Sequence, residues 1–311
     1  MTAWTKELVQ QHARDAAAVE LYTIPFYITV MTSIKNTESD AYKIIRGVLM
    51  EEMMHLQLVA NLCVALDTTP NLQVPNYEID VPFVEPGTVL DADMGPLDGE
   101  RLKMMIDIET PEEIVNDGTR KTDPDYPYSS IGEMYDALFY GIKQVGENQF
   151  SWNTARQQVF WAEQGYPQII RNCSEAEKAF EAIKAQGEGG HDGQAVTIDE
   201  RLQMINRPPV NIIWPYQDIF LKEYSHYSRF LTIQNGGLPD VFHGVISPNH
   251  PANMALQEIF RGNQQILDDL NHFWTGPITP VWMKFIGSMR ELTKRARQCW
   301  ESGVIPDWGK P

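Results

Sequence analysis

The sequence predicts an all-α protein built around a four-helix bundle, with long insertions between the helices and extra helices at the carboxyl end. Apolar residues recur at helical spacing from about Val9 to Ile34, and again from Ala41 to about Leu66. The short polar segment 35–40 separates the two patterns. Two long antiparallel helices joined by a short turn are therefore expected, as in one half of a helix bundle.

The rest of the chain continues the helical pattern with long interruptions. Residues 71–127 are rich in proline, aspartate and glycine, which predicts an insertion with little regular structure, and a second loop is predicted over 187–209. Further helices are predicted from near Ser129 and over about 174–186, 213–233, 253–271 and 281–300. We therefore divide the chain into a bundle domain, residues 1–240, and a helical extension, residues 241–311, that packs on the bundle.

The composition excludes several classes of function. The chain has 311 residues with a formal net charge of −17, and it lacks the clustered lysine and arginine that a nucleic-acid surface needs. No signal peptide and no apolar stretch long enough to cross a bilayer are predicted, and three separated cysteines suggest no disulfide framework. We expect a cytoplasmic protein without a nucleic-acid or membrane partner, and self-association into a homo-oligomer stays open.

Two parts of the chain repeat one pattern of acidic and histidine residues. Residues 20–27 (Glu-Leu-Tyr-Thr-Ile-Pro-Phe-Tyr) and 133–140 (Glu-Met-Tyr-Asp-Ala-Leu-Phe-Tyr) share the acid, the first tyrosine and the Phe-Tyr pair in register. The first segment is followed by Glu52-Met-Met-His55 and the second by Glu223-Tyr-Ser-His226. Each half thus supplies one helix with a glutamate and one helix with a Glu-x-x-His pair.

This pattern has a chemical reason. Residues three apart on a helix project from the same face, so a glutamate and a histidine at this spacing can bind one metal ion. Two such helices facing two further glutamates form the ligand set of carboxylate-bridged dinuclear bundles. Carboxylate and imidazole ligands without thiolates favour iron, with manganese as the alternative. The sequence therefore predicts a site for two iron ions, with the ligands Glu20, Glu52, His55, Glu133, Glu223 and His226.

Three acidic residues leave alternatives open. Glu147 lies at a spacing from Glu133 that would return it to a similar helix face, so periodicity does not choose between them, although the repeat favours Glu133. Glu51 adjoins Glu52 but points about a hundred degrees away on the helix, so we expect it beside the ligands or in solvent. Glu188 belongs to another Glu-x-x-His, which lies in a glycine-rich loop and lacks helical geometry.

Several runs resemble a known family. They are Ile-Pro-Phe-Tyr at 24–27, Glu-Glu-Met-Met-His-Leu at 51–56, Ser-Ile-Gly-Glu-Met-Tyr at 130–135, Gln-Gly-Glu-Gly at 186–189 and His-Tyr-Ser-Arg-Phe at 226–230. Over roughly residues 14–235 the chain resembles the ferritin-like domain of the iminophenyl-pyruvate dimer synthase family. The resemblance implies a ferritin-like fold and oxidative chemistry on an amino-acid-derived imine in secondary metabolism. It also implies that Glu188 is an accessory ligand or lies beside the ligands.

These observations favour an oxygen-dependent di-iron oxidoreductase. We expect dioxygen and a small organic substrate, such as an amine, an imine or an amino-acid derivative, as its partners. One alternative is a ferroxidase or iron-handling protein, and another is a binding protein that keeps the ligands without turnover. Substrate-dependent oxygen consumption would indicate the oxidoreductase, whereas turnover with iron alone would indicate iron handling.

Overall fold

A computed structural model describes residues 3–77, 93–111, 122, 124, 128, 130–159, 169–187, 225–261, 266–275 and 282–310. Apart from isolated bridging residues, every regular element in these ranges is helical, which confirms the all-α prediction. A 3₁₀ turn lies at Glu147–Gln149. The helices are α1 (Lys6–Ser33), α2 (Asp40–Ala65), α3 (Gly99–Ile108), α4 (Ile131–Val145), α5 (Cys173–Gly187), α6 (His226–Gly236), α7 (Pro251–Arg261), α8 (Ile266–Thr275) and α9 (Trp282–Glu301).

The first two helices form the predicted hairpin. The hydroxyl of Thr5 accepts a hydrogen bond from the Leu8 N–H at the start of α1, and that of Ser39 accepts one from the Tyr42 N–H at the start of α2. Such N-caps satisfy backbone donors that the first turn leaves without partners. Almost all of both helices is buried, because other helices cover more than one face of the pair.

The remaining helices of the bundle pack around this hairpin. α4 lies on α1, α5 contacts α2 and α4, and α6 contacts α2 and α3. The helices α4 and α5 begin within two residues of their predicted positions, whereas α6 is described only from His226 because residues 213–224 lie outside the described ranges. The described helices therefore form a bundle around the predicted hairpin.

One helix lies where the sequence predicted little regular structure. α3 begins at the N-cap Asp98, whose side chain accepts a hydrogen bond from the Arg101 N–H, and it buries Leu102, Met105 and Ile106. Its ten residues are too few to stand out beside the surrounding proline and aspartate. α3 packs on α6 and thereby brings the segment that follows it into the interior of the bundle.

The C-terminal helices attach to the bundle through α9, which packs on α1, and α8, which contacts α2. The guanidinium of Arg297 on α9 donates to the backbone carbonyls of Thr32 and Lys35. The indole N–H of Trp300 donates to the Thr29 carbonyl at 3.0 Å, and that of Trp308 donates to the Thr29 hydroxyl at 2.8 Å. The extension thus contacts the bundle through specific hydrogen bonds, while the boundary at residue 240 stays a prediction.

Among the described helices, α2 has the length and apolar composition of a membrane span, which the sequence analysis did not predict. Of its most apolar stretch, 89% is buried inside the protein. The core helix of a globular bundle satisfies the same criteria, because both environments exclude water. The apolar character of α2 is accounted for by its place in the core.

Candidate metal centre

Four of the predicted ligands lie together in the interior of the bundle. α1 contributes Glu20, α2 contributes Glu52 and His55, and α6 contributes His226; none is more than 4% exposed. Glu52 and His55 are three residues apart on one helix and point to the same side, as their spacing predicted. The structure therefore brings together side chains from two consecutive helices and from a third that is distant in sequence.

These side chains form two groups that share one carboxylate. In the first group, His55 Nδ1 lies 3.6 Å from Glu20 Oε2 and 3.6 Å from Glu52 Oε1. In the second, His226 Nδ1 lies 2.9 Å from the same Glu52 Oε1 and 3.4 Å from Glu109 Oε2. The two imidazole rings are nearly parallel, with centroids 5.5 Å apart. Each group can hold a metal ion, and the shared Glu52 lies where a bridging ligand would be needed.

Both histidines turn the same nitrogen toward the centre. Nε2 of His55 lies 2.9 Å from Gln186 Oε1, and Nε2 of His226 lies 2.9 Å from Glu51 Oε2. Because an amide oxygen and a carboxylate only accept hydrogen bonds, Nε2 is the donor in both pairs. The neutral imidazole then presents the lone pair of Nδ1 to the carboxylates, which is the tautomer that a metal ligand requires.

Each carboxylate also has one oxygen engaged and one directed at a histidine. The oxygen that does not face a histidine accepts a hydrogen bond from a hydroxyl. The distance between the two oxygens is 2.6 Å for Glu52 and 2.6 Å for Glu109. The three donor–acceptor pairs are Thr23 with Glu52, Tyr27 with Glu109, and Tyr135 with Glu20. Burial, together with the neighbouring carboxylates, raises the pKa of both tyrosines well above the usual phenol range, so both remain donors.

Two observations indicate that these residues fit a bound cation. Nδ1 of His226 is buried and has no hydrogen-bond partner in the described part of the chain, although Glu52 Oε1 is only 2.9 Å away. The two atoms are therefore close without meeting the geometry of a hydrogen bond. In addition, three carboxylates (Glu20, Glu52 and Glu109) share a buried volume with two imidazoles, and such a concentration of negative charge is costly unless cations compensate it.

Protonation of histidine is the compensation available without a metal ion. Burial lowers the pKa of His55, but Glu20 and Glu52 outweigh that effect and raise it to about 10. A metal ion would therefore replace a proton on this ring, since a ligating imidazole must be neutral.

A buried ion pair holds the outer side of His226. Glu51 Oε2 accepts from the His226 ring and lies 3.0 Å from Arg229 Nη1, while Glu51 Oε1 accepts from Arg229 Nη2 at 3.2 Å. Burial opposes ionisation of Glu51, but the Arg229 charge and the His226 hydrogen bond lower its pKa to about 2. The sequence left open whether Glu51 lies beside the ligands or in solvent. In the structure it lies beside the ligands, and Arg229 balances its charge.

Glu109 is the residue of this site that the sequence analysis did not find. It directly follows α3, inside the insertion 71–127 that was predicted to be largely irregular. The available signal was the short amphipathic run before it, with an N-cap at Asp98 and apolar residues through Ile108. An acid at the end of such a run is a candidate ligand.

The structure does not bring Glu133 into either group of described ligands. Glu133 is buried in the first turn of α4, where its N–H donates to the Ser130 hydroxyl. Serine followed three residues later by glutamate also matches the sequence of a capping box, and the Ser130 hydroxyl caps the helix at this position. Its role as a ligand stays a prediction, and the carboxylate next to His226 is supplied by Glu109.

Three further acidic residues have different outcomes. Glu147 is exposed in the 3₁₀ turn after α4 and accepts a hydrogen bond from the Cys173 N–H at 3.0 Å, so it lies away from the two groups. Glu223 and Glu188 lie outside the described residues. The pairing of Glu223 with His226 therefore stays a prediction, and α6 is described from His226, which follows the N-cap Ser225.

A cavity of about 30 Å³ lies beside the first group, between the ligands and α4 and α5. Gly187, at the end of α5, is close to the second group, since a Cβ atom there would lie 3.2 Å from Glu109 Oε2. Contacts at the site thus account for the first two residues of the Gln-Gly-Glu-Gly run. Gln186 orients His55, and Gly187 leaves room for Glu109. The described cavity has room for a molecule the size of water or dioxygen.

Comparisons with known proteins agree with this architecture. Among solved structures, the chain is similar to a ferritin-like protein from Caulobacter vibrioides, with 26% sequence identity and a TM-score of 0.74. The match covers 99% of this chain and 100% of that one, so it includes the C-terminal helices. No curated protein matches the chain. A family model described as ferritin-like matches residues 13–235, and the chain therefore belongs to the ferritin-like family.

Proposed function

We propose that this protein is a dinuclear iron oxidoreductase that uses dioxygen to oxidise a small organic substrate. One observation carries the proposal: two three-residue groups share Glu52, and each of their carboxylates keeps one oxygen directed inward while a hydroxyl holds the other. Carboxylates and imidazoles without thiolates favour iron, with manganese as the alternative.

The residues divide into two half-sites around the shared carboxylate. Glu20 and His55 would hold one ion, and Glu109 and His226 would hold the other, with Glu52 between them. Glu223 stays a candidate for a further ligand. When bound, such a pair of ions supplies electron exchange with dioxygen. The protein fixes the ligands in place and excludes bulk water, because all five side chains are buried.

The substrate class rests on the resemblance to the iminophenyl-pyruvate dimer synthase family, which favours an amine, an imine or an amino-acid derivative. The described cavity beside Glu20 is about 30 Å³, which suits dioxygen but is smaller than the pockets that enclose organic ligands. Substrate dependence is therefore the feature that an experiment has to establish. Turnover with ferrous ion alone would indicate iron handling instead.

The decisive experiment combines metal analysis with oxygen uptake. The protein is loaded anaerobically with ferrous ion, and oxygen consumption is recorded with and without a panel of amines and amino-acid-derived imines. We expect two iron ions per chain and uptake that depends on one class of these compounds. Glu52→Ala should lose both ions and all uptake, whereas the control Glu258→Gln, at an exposed position on α7, should retain both.

Two outcomes would contradict the proposal. Iron-dependent uptake that no organic compound accelerates would favour a ferroxidase. Failure of the folded protein to retain any iron or manganese would refute the metal centre itself.

A further inference from the structure

A second, much larger cavity lies between the bundle and the C-terminal helices. It has a volume of about 460 Å³, within the range of pockets that bind small organic molecules. The outer faces of α1 and α2 form one wall, and α7, α8 and α9 form the other. Its apolar surface includes Leu49, Met53, Leu56, Phe260, Leu270 and Trp274.

This cavity is separate from the candidate metal centre. Glu52 and His55 point into the bundle, whereas their neighbours Met53 and Leu56 line the cavity. Adjacent residues on a helix are rotated by about 100°, so one helix presents different faces to the two sites. A ligand in the large cavity would therefore be separated from the ligand carboxylates by the body of α2.

Among the described lining residues, the charged side chains are all of one sign. Arg46, Arg290, Lys294 and Arg297 are among the described lining residues, which include no acidic side chain. This is unexpected in a chain with a net charge of −17. Arg46 and Arg297 are half-buried, while Arg290 and Lys294 are exposed. Cations thus lie both within the lining and where it meets solvent.

The four cations do not have the same role. Arg297 donates to the carbonyls of Thr32 and Lys35 and fixes α9 to the end of α1. Within the described part of the chain, Lys294 makes a 3.6 Å ion pair with Glu291 on its own helix, and such exposed pairs contribute little. An anionic group could therefore approach Lys294 while an apolar body occupies the cavity, and Arg46 and Arg290 add positive charge to the same lining. A neutral apolar molecule would gain nothing from these charges.

We propose that this cavity binds an amphipathic carboxylate, a molecule with one carboxylate head and an apolar chain or ring body. Burial of the apolar body drives binding, and the cations select the charged head. The methionines of the lining, such as Met50 and Met53, adapt to different apolar shapes. This proposal is independent of the chemistry proposed for the metal centre.

The test measures binding of dodecanoate to the purified protein by titration calorimetry, with dodecanol as the uncharged analogue. We expect saturable binding of one dodecanoate per chain and at least about tenfold weaker binding of dodecanol. In the variant Arg46→Gln/Lys294→Gln, dodecanoate should bind about tenfold more weakly, while dodecanol should bind as it does to the unaltered protein. Arg171→Gln changes an exposed arginine outside the cavity and should have no effect.

A second variant tests the volume rather than the charge. Met50→Trp places a larger side chain at a half-buried position of the lining and should reduce binding of both compounds by at least about tenfold. Circular dichroism and iron content should remain unchanged in both variants, because the cavity is separate from the centre. The proposal is overturned if dodecanoate does not bind, as when another part of the chain fills the cavity. It is equally overturned if dodecanol binds as tightly, or if neither variant weakens dodecanoate.

Discussion

The substitution Glu109→Gln distinguishes the ligand set seen in the structure from the one predicted by the internal repeat. Glutamine keeps the size of the side chain but removes the negative charge. Glu109 Oε2 lies 3.4 Å from His226 Nδ1, and Glu109 belongs to the second group only. We therefore expect the substitution to remove one ion and leave the ion held by Glu20 and His55.

The size of the effect follows from the number of ligands. The second group has three described ligands, so the substitution weakens one of three. Changing a residue that only orients a metal ligand typically costs 10- to 100-fold in affinity. Loss of a ligand charge should cost at least about 100-fold, or about 2.7 kcal/mol at the second ion.

Equilibrium dialysis against limiting ferrous ion, followed by metal determination, measures this difference. Glu109→Gln should retain about one ion per chain under conditions in which the unaltered protein retains two. Glu133→Gln is the matched control, because it makes the same chemical change at a buried acid outside both groups. If Glu133→Gln loses an ion and Glu109→Gln keeps both, the assignment of ligands from the structure is wrong.

Three other substitutions test the surroundings of the ligands and the attachment of the extension. Gln186→Leu removes the acceptor for the Nε2 proton of His55 and should weaken the first ion by about 10- to 100-fold in the same dialysis assay. Arg229→Leu leaves the Glu51 charge buried without its cation and should lower the free energy of unfolding by about 3–5 kcal/mol in urea titrations; adding Glu51→Gln should restore part of the loss. Trp308→Phe removes a buried hydrogen bond to α1 and should cost at least about 1 kcal/mol in the same measurement, and no change would mean that this contact is not needed.

The hairpin of α1 and α2 could be predicted because its signals are local. Each helix is long and strongly periodic, and each begins at a serine or threonine cap. The Glu52–His55 pair lies within one helix, so its geometry follows from sequence spacing alone. Placement of these two ligands therefore required no knowledge of the remaining fold.

The third carboxylate, Glu109, could not be located in this way, because similarity of two segments does not make them spatially equivalent. Residues 133–140, which repeat the pattern of residues 20–27, do reach the site. The residue that contacts it is Tyr135, whose hydroxyl donates to Glu20. Glu133 instead occupies a capping position of α4. Glu109 reaches His226 because α3 packs on α6, a long-range contact that no local pattern encodes.

The polar residues of α1 carry information about the site that spacing rules for metal ligands do not use. Glu20, Thr23 and Tyr27 are buried polar residues at positions i, i+3 and i+7 of a helix, so they form one stripe along a single face. Glu20 is itself a candidate ligand. Thr23 donates to Glu52 on α2, and Tyr27 donates to Glu109 at the end of α3. A buried hydroxyl needs a partner, and on this face the partners are carboxylates. Such a stripe in an apolar helix therefore predicts acids opposite it, while the packing of α3 on α6 determines that one of them is Glu109.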